Sequence, residues 1–529
     1  MELERGAGHQ ADAASISSVA ELVRVHGARR RDCPALTADG RTITFGQLDA
    51  RSNQVAQVLA ADGLGAGDRV AFLDTNSAEF FEVLFATAKL RAVTVPLNWR
   101  LAPAELAAIV NDSEAATLIV GAAFVPVLEA IEPRLPRVKT IVVIGGHERH
   151  HGYEDWTAGA PVIDPGLRAT PDDVVLQLYT SGTTGEPKGV LLTERNVISL
   201  ARVSGPLLGL DEDSVNLVPM PLFHIGGSGY ALIGVYAGCH TVLLRQIEPR
   251  ELLEVLARHR ISALFAVPAV LQSLIDVTGR DRLDLSALRT ITYGASPITV
   301  EALTRSIEAF RCDFVQVYGL TETTGTITVL SPEDHRRALA GAHAERLRSA
   351  GRPVEGGRVR IVSPETGADV PADAVGEVWI SSPQNTIGYW RKPAETAAAL
   401  TGDGWLRTGD AGHLDAEGYL FIDDRVTDMI ITGGENVYPA QVENTLISHP
   451  AVAEVAVIGV PDQRWGETVK AIVVPAPSST PTAAGLIAFA RERLAHYKCP
   501  TSVDFAEALP RGPSGKLLKR ELRAAYRRK

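Results

Sequence analysis

Residues 178–190 read Leu178-Tyr179-Thr180-Ser181-Gly182-Thr183-Thr184-Gly185-Glu186-Pro187-Lys188-Gly189-Val190, so four hydroxyls, three glycines and one lysine fall in a single short run. Glycine lets backbone N–H groups come close to an anion, the hydroxyls add donors, and Lys188 adds a compact positive charge, a set that suits a polyphosphate. Apolar runs at 174–179 and 190–192 predict strands on either side of a loop. The loop is not a Walker A motif: Gly189 stands after Lys188 where a Ser or Thr would serve Mg2+, and Pro187 would break the helix that must begin there. On composition alone a phosphate loop and a flexible Gly/Ser/Thr connector compete.

Further chemistry is spread along the chain. Val315-Gln316-Val317-Tyr318-Gly319-Leu320-Thr321-Glu322-Thr323-Thr324-Gly325 joins an apolar strand to a tyrosine, a glycine and a carboxylate flanked by hydroxyls. A flat ring and a close backbone suit a nucleoside, and a hard oxygen suits Mg2+, although a lone glutamate at a strand end is ordinarily solvated. Pro219-Met220-Pro221-Leu222-Phe223-His224 sets a histidine beside an apolar run, where packing is the commoner role. Pro510-Arg511-Gly512-Pro513-Ser514-Gly515-Lys516 carries a lysine on a glycine-flexed loop, and a lysine in a basic tail is ordinarily a solvated charge. His147-Glu148-Arg149-His150 is one residue short of HExxH, and Gly63-Leu64-Gly65-Ala66-Gly67 is not GxGxxG; both read as turns without chemistry.

Taken in order, YTSGTTGEPKG resembles the signature of the adenylate-forming superfamily, which holds acyl-CoA synthetases, aryl-CoA ligases, luciferases and peptide-synthetase adenylation domains. The likeness runs over nearly the whole chain from about Val19 and points to the fatty-acid–CoA ligase branch. It implies that Thr180, Ser181, Gly182, Thr183, Thr184, Gly185 and Lys188 hold the ATP phosphates. It implies an AMP site from Gly294, Ala295, Ser296, Gln316, Tyr318, Gly319, Thr321, Asp410, Ile422 and Arg425, with Tyr318 stacked on adenine, Thr321 on phosphate, and Asp410 and Arg425 on the ribose. Glu322 and Thr180 would bind Mg2+.

By the same resemblance His224 guards a carboxylate pocket lined by Ile225, Gly229, Val267, Tyr293, Gly294 and Thr324. Gly433, Gly434, Glu435, Arg464 and Trp465 resemble the surface that lines the pantetheine tunnel of CoA ligases. Lys516 matches the family's catalytic lysine, acting with His224, Thr321 and Glu322. The segment Asp423-Asp424-Arg425-Val426-Thr427-Asp428 matches the family's hinge, with one departure: Thr427 stands where aspartate or lysine is common, and its β-branching stiffens χ1. The aspartate that peptide-synthetase domains carry for an α-amino group is missing from 223–228, which counts against amino acids.

The elements that must position these groups alternate. After a helix at 16–26 and a hairpin turning on Asp39-Gly40, strands at 70–73, 92–97 and 117–120 alternate with helices to 61, at 78–90 and at 103–111. Repeated strand–helix–strand units predict parallel sheets with helices on their faces. The predicted fold is α/β: a large N-terminal domain of parallel-rich αβα sheets plus a β-rich subdomain, and a small α+β C-terminal domain that rotates about a hinge. The predicted limits are 1–424, hinge 425–428 and 429–529.

At 529 residues the chain exceeds one core. A net charge of -11 argues against nucleic acid, and four cysteines without CxxC spacing indicate neither zinc nor a disulfide framework. The polar start, with Glu2, Glu4 and Asp12, does not read as a signal peptide, and no run has the apolar length of a membrane span, so a cytoplasmic location is expected and peripheral membrane contact stays open. The expected activity is ATP-dependent ligation of a carboxylic acid to CoA through acyl-AMP, with Mg2+, ATP and CoA. The acid is expected to be a medium- to long-chain fatty acid, because Gly226, Gly227 and Gly229 leave volume beside an apolar wall. The alternatives are an aryl-CoA ligase with Tyr293 as a stacking face, a ligase that loads an acyl carrier protein, and a silent acyl-adenylate-binding protein.

Overall fold

A computed structural model describes residues 16–181, 187–296, 298, 300–363, 366–425, 430–437, 439–510 and 519–526. The strands in chain order are β1 (Pro34–Ala38), β2 (Arg41–Thr44), β3 (Arg69–Leu73), β4 (Val93–Pro96), β5 (Thr117–Gly121), β6 (Thr140–Ile144), β7 (His151–Gly152), β8 (Val174–Ser181), β9 (Pro187–Thr193), β10 (Val215–Val218), β11 (His240–Leu243), β12 (Ala263–Ala266), β13 (Thr290–Gly294), β14 (Asp313–Leu320), β15 (Gly325–Leu330) and β16 (Arg352–Pro353). Then come β17 (Arg358–Val362), β18 (Gly376–Ser381), β19 (Leu406–Leu414), β20 (Leu420–Arg425), β21 (Ile430–Thr432), β22 (Glu435–Val437), β23 (Val452–Asp462), β24 (Gly466–Pro475) and β25 (Ser502–Phe505).

Two of the sheets are mostly parallel: β7-β6-β5-β3-β4-β8-β9, and β16-β15-β14-β13-β12-β10-β11-β1-β2. In the second, β14, β13, β12, β10, β11 and β1 run parallel, with antiparallel strands closing both edges. The Asp39-Gly40 turn joins β1 to β2 with φ of 52° and 74°, the left-handed pair a two-residue hairpin requires. Helices start where side chains can cap them: Thr44 and Gln47 form a capping box for Phe45–Ala61, as Thr193 and Asn196 do for Glu194–Leu207.

Strand alternation assigns each residue of the second sheet to one of two cores. Ala263, Phe265 and Val315 join the core that holds helices Glu194–Leu207 and Ile225–Tyr236, while Leu264, Ala266, Ile291, Tyr293 and Phe314 join the core on the other face. A third sheet, β17-β18-β19-β20, carries its own small core of Ile327, Ala350, Ile361, Val378, Ile380 and Leu420. The architecture is the expected large α/β domain with a smaller α+β domain behind it in the chain.

The chain divides into two compact units. The smaller takes everything from Asp424 onward together with Trp99–Ile109 and Tyr179–Lys188. The sequence placed those two segments in the large domain. Trp99–Ile109 clusters with the smaller unit because Glu105 accepts from Lys498 Nζ at 2.9 Å, Gln441 Nε2 at 3.0 Å and Ala495 N–H at 3.1 Å, a part-buried carboxylate with three donors. The core of this unit packs Val437, Val442, Leu446, Val457, Val469 and Leu486 around β23 and β24. Among the described residues no helix is long and apolar enough to cross a membrane.

Candidate active site

Several of the sequence-predicted groups lie at the carboxyl ends of strands. Thr180 and Ser181 end β8, the His224 segment follows β10, Gly294 ends β13 with Ala295 and Ser296 after it, and Gln316 to Gly319 lie in the last half of β14. In open α/β sheets this is the edge where ligands bind. Gln316 pairs with Tyr293 and Val317 with Gly294 in register, and Ala295 then turns the chain away with φ of 64°.

Tyr318, Asp410 and Ile422 come together from two sheets. The Tyr318 hydroxyl donates to Asp410 Oδ2 at 2.7 Å, and the rings and branches of Tyr318 and Ile422 pack on the small core of the third sheet. Asp410 is 2% exposed and its backbone N–H donates to Thr408 Oγ1 at 3.0 Å, so the residue is held through its backbone as well as through Oδ2. An acceptor of this kind, rigid and largely desolvated, is what two vicinal hydroxyls require.

Glu322 sits in a tight turn, Thr321–Thr323, followed by Thr324 in the left-handed region with φ of 56°. Such a conformation persists in a β-branched residue only where neighbours enforce it. Here the Thr324 hydroxyl donates to Gln384 O at 2.6 Å and Thr323 Oγ1 accepts from Leu320 N–H at 2.8 Å. Thr324 is thus buried beneath the turn, with its hydroxyl spent on Gln384. Tyr389, which the sequence did not single out, donates to Glu322 Oε1 at 2.9 Å. No group of three or more His, Cys, Asp or Glu side chains that would cage a metal occurs among the described residues. A single carboxylate fits Mg2+, which keeps water and substrate phosphate oxygens as its other ligands.

Around His224 the geometry corrects two expectations. His224 is the N-cap of helix Ile225–Tyr236, and the loop before it is clamped by Asn76, which donates to Met220 O at 3.0 Å and accepts from Leu222 N–H at 3.0 Å. The helix glycines are filled by neighbours and do not open a void. A Cβ on Gly227 would lie 2.1 Å from Pro221 O, one on Gly226 3.1 Å from Phe265 Cε1, and one on Gly229 3.1 Å from Ile225 Cδ1 and 3.2 Å from Leu200 Cδ2. Tyr293 is no stacking face either. It is fully buried on the opposite side of the sheet, its hydroxyl 2.8 Å from His335 Nε2, and Val267 belongs to that same core. His335 Nδ1 lies 2.7 Å from Ser331 O, so Nδ1–H donates there, Nε2 accepts from Tyr293, and burial keeps the imidazole neutral by lowering its pKa. Apolar side chains in the core that holds the helix after His224 include Ile225, Leu200, Phe265 and Val317.

In the smaller unit Gly433 and Gly434 turn the β21–β22 hairpin with φ of 57° and 83°, and Gly433 lies against the Trp465 ring, where a Cβ would meet Cε3 at 2.8 Å. Arg464 stacks its guanidinium 4.6 Å from the centre of that ring, and Trp465 is 44% exposed. Glu435 is buried and ion-paired with Arg100. Thr180 lies on β8, one residue before its end, and Lys188 lies on β9, both half-buried. Gly182, Thr183, Thr184, Gly185, Thr427 and Lys516 lie outside the described residues, as do the side chains of Ser181 and Arg425.

Residues 23–390 match the sequence profile described as AMP-binding enzyme, and residues 441–516 match the AMP-binding enzyme C-terminal domain. The chain belongs to the AMP-binding enzyme family. This AMP-binding enzyme is 40% identical over 516 residues to the fatty acid–[acyl-carrier-protein] ligase ScoC of Streptomyces coeruleorubidus, covering 97% of each chain. It is 38% identical over 487 residues to the long-chain-fatty-acid–CoA ligase FadD13 of Mycobacterium tuberculosis, covering 92% of this chain and 93% of that one. Its fold superposes on the amide bond synthetase McbA of Marinactinospora thermotolerans with a TM-score of 0.87 at 31% identity, over 96% of this chain and 99% of the other. The AMP-binding enzyme is an adenylate-forming ligase of the acyl-CoA synthetase type, with ATP as a substrate.

Proposed function

We propose that this AMP-binding enzyme joins a medium- to long-chain fatty acid to CoA in two steps at one site. In the first, a carboxylate oxygen attacks the α-phosphorus of ATP, the bond to the β-phosphate breaks, and acyl-AMP and pyrophosphate form. In the second, the CoA thiol adds to the acyl carbon, loses its proton and expels AMP. The observation that supports this reading is the convergence of Tyr318, Asp410 and Ile422 from two sheets, with Tyr318 four residues before Glu322 in the chain.

Thr180 to Lys188 would hold the phosphates, and Asp410 with Arg425 the ribose. Mg2+, held by Glu322 and Thr180, would supply charge neutralisation. Lys516 would place its ammonium between carboxylate and α-phosphate, then leave as residues 425–428 let the C-terminal domain turn and present Gly433 to Glu435, Arg464 and Trp465 to the pantetheine arm. The acid reading rests on the apolar Ile225, Leu200, Phe265 and Val317; with Tyr293 turned into the opposite core, the aromatic alternative loses its stacking surface. A carrier-protein acceptor is the second reading, favoured by the 40% identity with ScoC.

The test separates the half-reactions. Pyrophosphate release is expected with octanoate and palmitate above acetate and a hydroxycinnamate, and thioester with CoA above a pantetheinylated carrier protein. Lys516→Ala is expected to lose adenylation by several orders of magnitude yet convert supplied acyl-AMP to thioester near the wild-type rate. Equal loss of both steps rejects the division of labour.

A further inference from the structure

A strap at 384–390 runs between the exit strand of the phosphate loop and the turn that carries Glu322. On one side it follows β9: Leu191 N–H donates to Gly388 O at 3.0 Å, Trp390 N–H to Gly189 O at 2.7 Å, and Thr386 Oγ1 to Leu191 O at 2.6 Å. On the other it grips the turn: Thr386 N–H donates to Glu322 O at 2.7 Å, Thr324 Oγ1 donates to Gln384 O, and the Tyr389 hydroxyl donates to Glu322 Oε1 at 2.9 Å. Backbone and carboxylate of Glu322 are therefore both set by one segment, and that segment is itself registered to β9.

We infer that Tyr389 is a positioning residue for the Glu322 carboxylate, holding it in register with β9 so that its second oxygen is presented to a divalent cation carried by the nucleotide. The inference rests on the assignment of Glu322 as metal ligand. A free glutamate has three rotatable bonds, and fixing one oxygen removes most of that freedom before the cation arrives. The hydroxyl takes Oε1 only, which leaves the lone pairs of Oε2. Outer partners of this kind orient a ligating carboxylate, and removing one typically lowers metal affinity about tenfold or more. The strap does not depend on the hydroxyl for its own place: Tyr389 N–H donates to Thr396 Oγ1 at 3.0 Å, the Trp390 indole N–H to Asp112 O at 3.0 Å, and Arg69 stacks on Trp390 with its guanidinium carbon 3.5 Å from the ring centre.

Mn2+ binding read by electron paramagnetic resonance, with a non-hydrolysable α,β-methylene ATP analogue and no acid, tests this without turnover. Tyr389→Phe is expected to raise the Mn2+ dissociation constant of the analogue complex about tenfold, with the thermal midpoint of the metal-free protein unchanged. Glu322→Gln is expected to raise it at least as far, and Tyr389→Phe on top of Glu322→Gln to add nothing. A Tyr389→Phe protein that binds Mn2+ like wild type while Glu322→Gln does not overturns the positioning role. If Glu322→Gln also binds normally, the metal assignment falls with it. A Tyr389→Phe loss that persists undiminished in the Glu322→Gln background places the tyrosine's effect elsewhere and overturns the inference.

Discussion

The Tyr318 hydroxyl donates to Asp410 Oδ2 across the junction of two sheets, so the residue proposed to face adenine and the residue proposed to hold the ribose are fixed to each other. The bond joins β14 to β19, 92 positions apart in sequence. Tyr318→Phe keeps the ring and removes one donor from a carboxylate that is almost wholly desolvated. The expected cost is about 1–3 kcal/mol of stability, with a rise of severalfold in KM for ATP and little change in kcat. Asp410→Ala is expected to raise KM for ATP by more than tenfold. Steady-state kinetics with ATP as the varied substrate, beside a thermal melt, separates the two.

Tyr293 belongs to a different network, and a variant shows it. Tyr293→Phe leaves the neutral His335 Nε2 without its buried donor, at an expected cost of about 1–3 kcal/mol in unfolding free energy. The ratio of specificity constants for an aromatic and an aliphatic acid is expected to stay as in wild type. A change in that ratio would return Tyr293 to the acyl pocket.

Much of this was legible in the chain. The strand–loop motifs carry their own geometry: an apolar run followed by glycines or hydroxyls ends a strand at the sheet edge where ligands gather in open α/β sheets, as in β8, β13 and β14. The side of the sheet on which Tyr293 lies is legible too, from strand alternation. Tyr293 and Gly294 are consecutive on β13, so they face opposite ways, and both cannot line one pocket. Glycines in helix Ile225–Tyr236 were read as space because sequence shows a missing side chain but not the neighbour that fills its place; Leu200, on another helix, is what occupies Gly229. Tyr389 was not legible as the partner of Glu322, since 67 positions separate them and only the folded strap brings them together. Glu105 likewise reads as a surface helix residue until Lys498 is seen beside it.

Glu194 sets a pH dependence of stability. Its carboxyl is 1% exposed, lies 2.6 Å from the Val19 N–H that opens helix Val19–Arg29, and is pushed up to about 8, first by burial and then by the nearby Asp173 and Glu21, against the opposing pull of the Val19 N–H and Arg24. In the unfolded chain a glutamate titrates near 4.3. Between these values the folded state holds a proton that the unfolded state has released. This contribution is therefore full below about pH 4, declines as pH rises and is lost above about pH 8. Glu194→Gln keeps an acceptor for Val19 N–H without the titration. Chemical denaturation from pH 5 to 9 is expected to show a flatter profile for the variant, with its gain over wild type largest at the alkaline end; parallel profiles would remove Glu194 as the cause.

Acid length is decided beside Gly229 if the proposed site is right. The Cβ of a residue placed there meets Ile225 Cδ1 and Cγ1 and Leu200 Cδ2, all on side chains, so a valine is accommodated by pushing both side chains aside into whatever space the acyl chain uses. Each methylene the pocket can no longer bury forfeits about 0.8 kcal/mol, close to a fourfold loss in specificity constant per carbon. Gly229→Val is thus expected to lower kcat/KM for palmitate by one to two orders of magnitude while octanoate falls little, and Leu200→Ala to shift the optimum toward longer acids. The adenylation step alone, followed by pyrophosphate release, is the proper measurement, because it reads the acid pocket before the acceptor enters. Equal losses for octanoate and palmitate in Gly229→Val would mean that the helix has moved as a whole and that chain length is measured elsewhere. A selective loss for a hydroxycinnamate, with both fatty acids untouched, would make Gly229 the wall of an aromatic site and end the fatty-acid assignment while leaving the ligase chemistry in place.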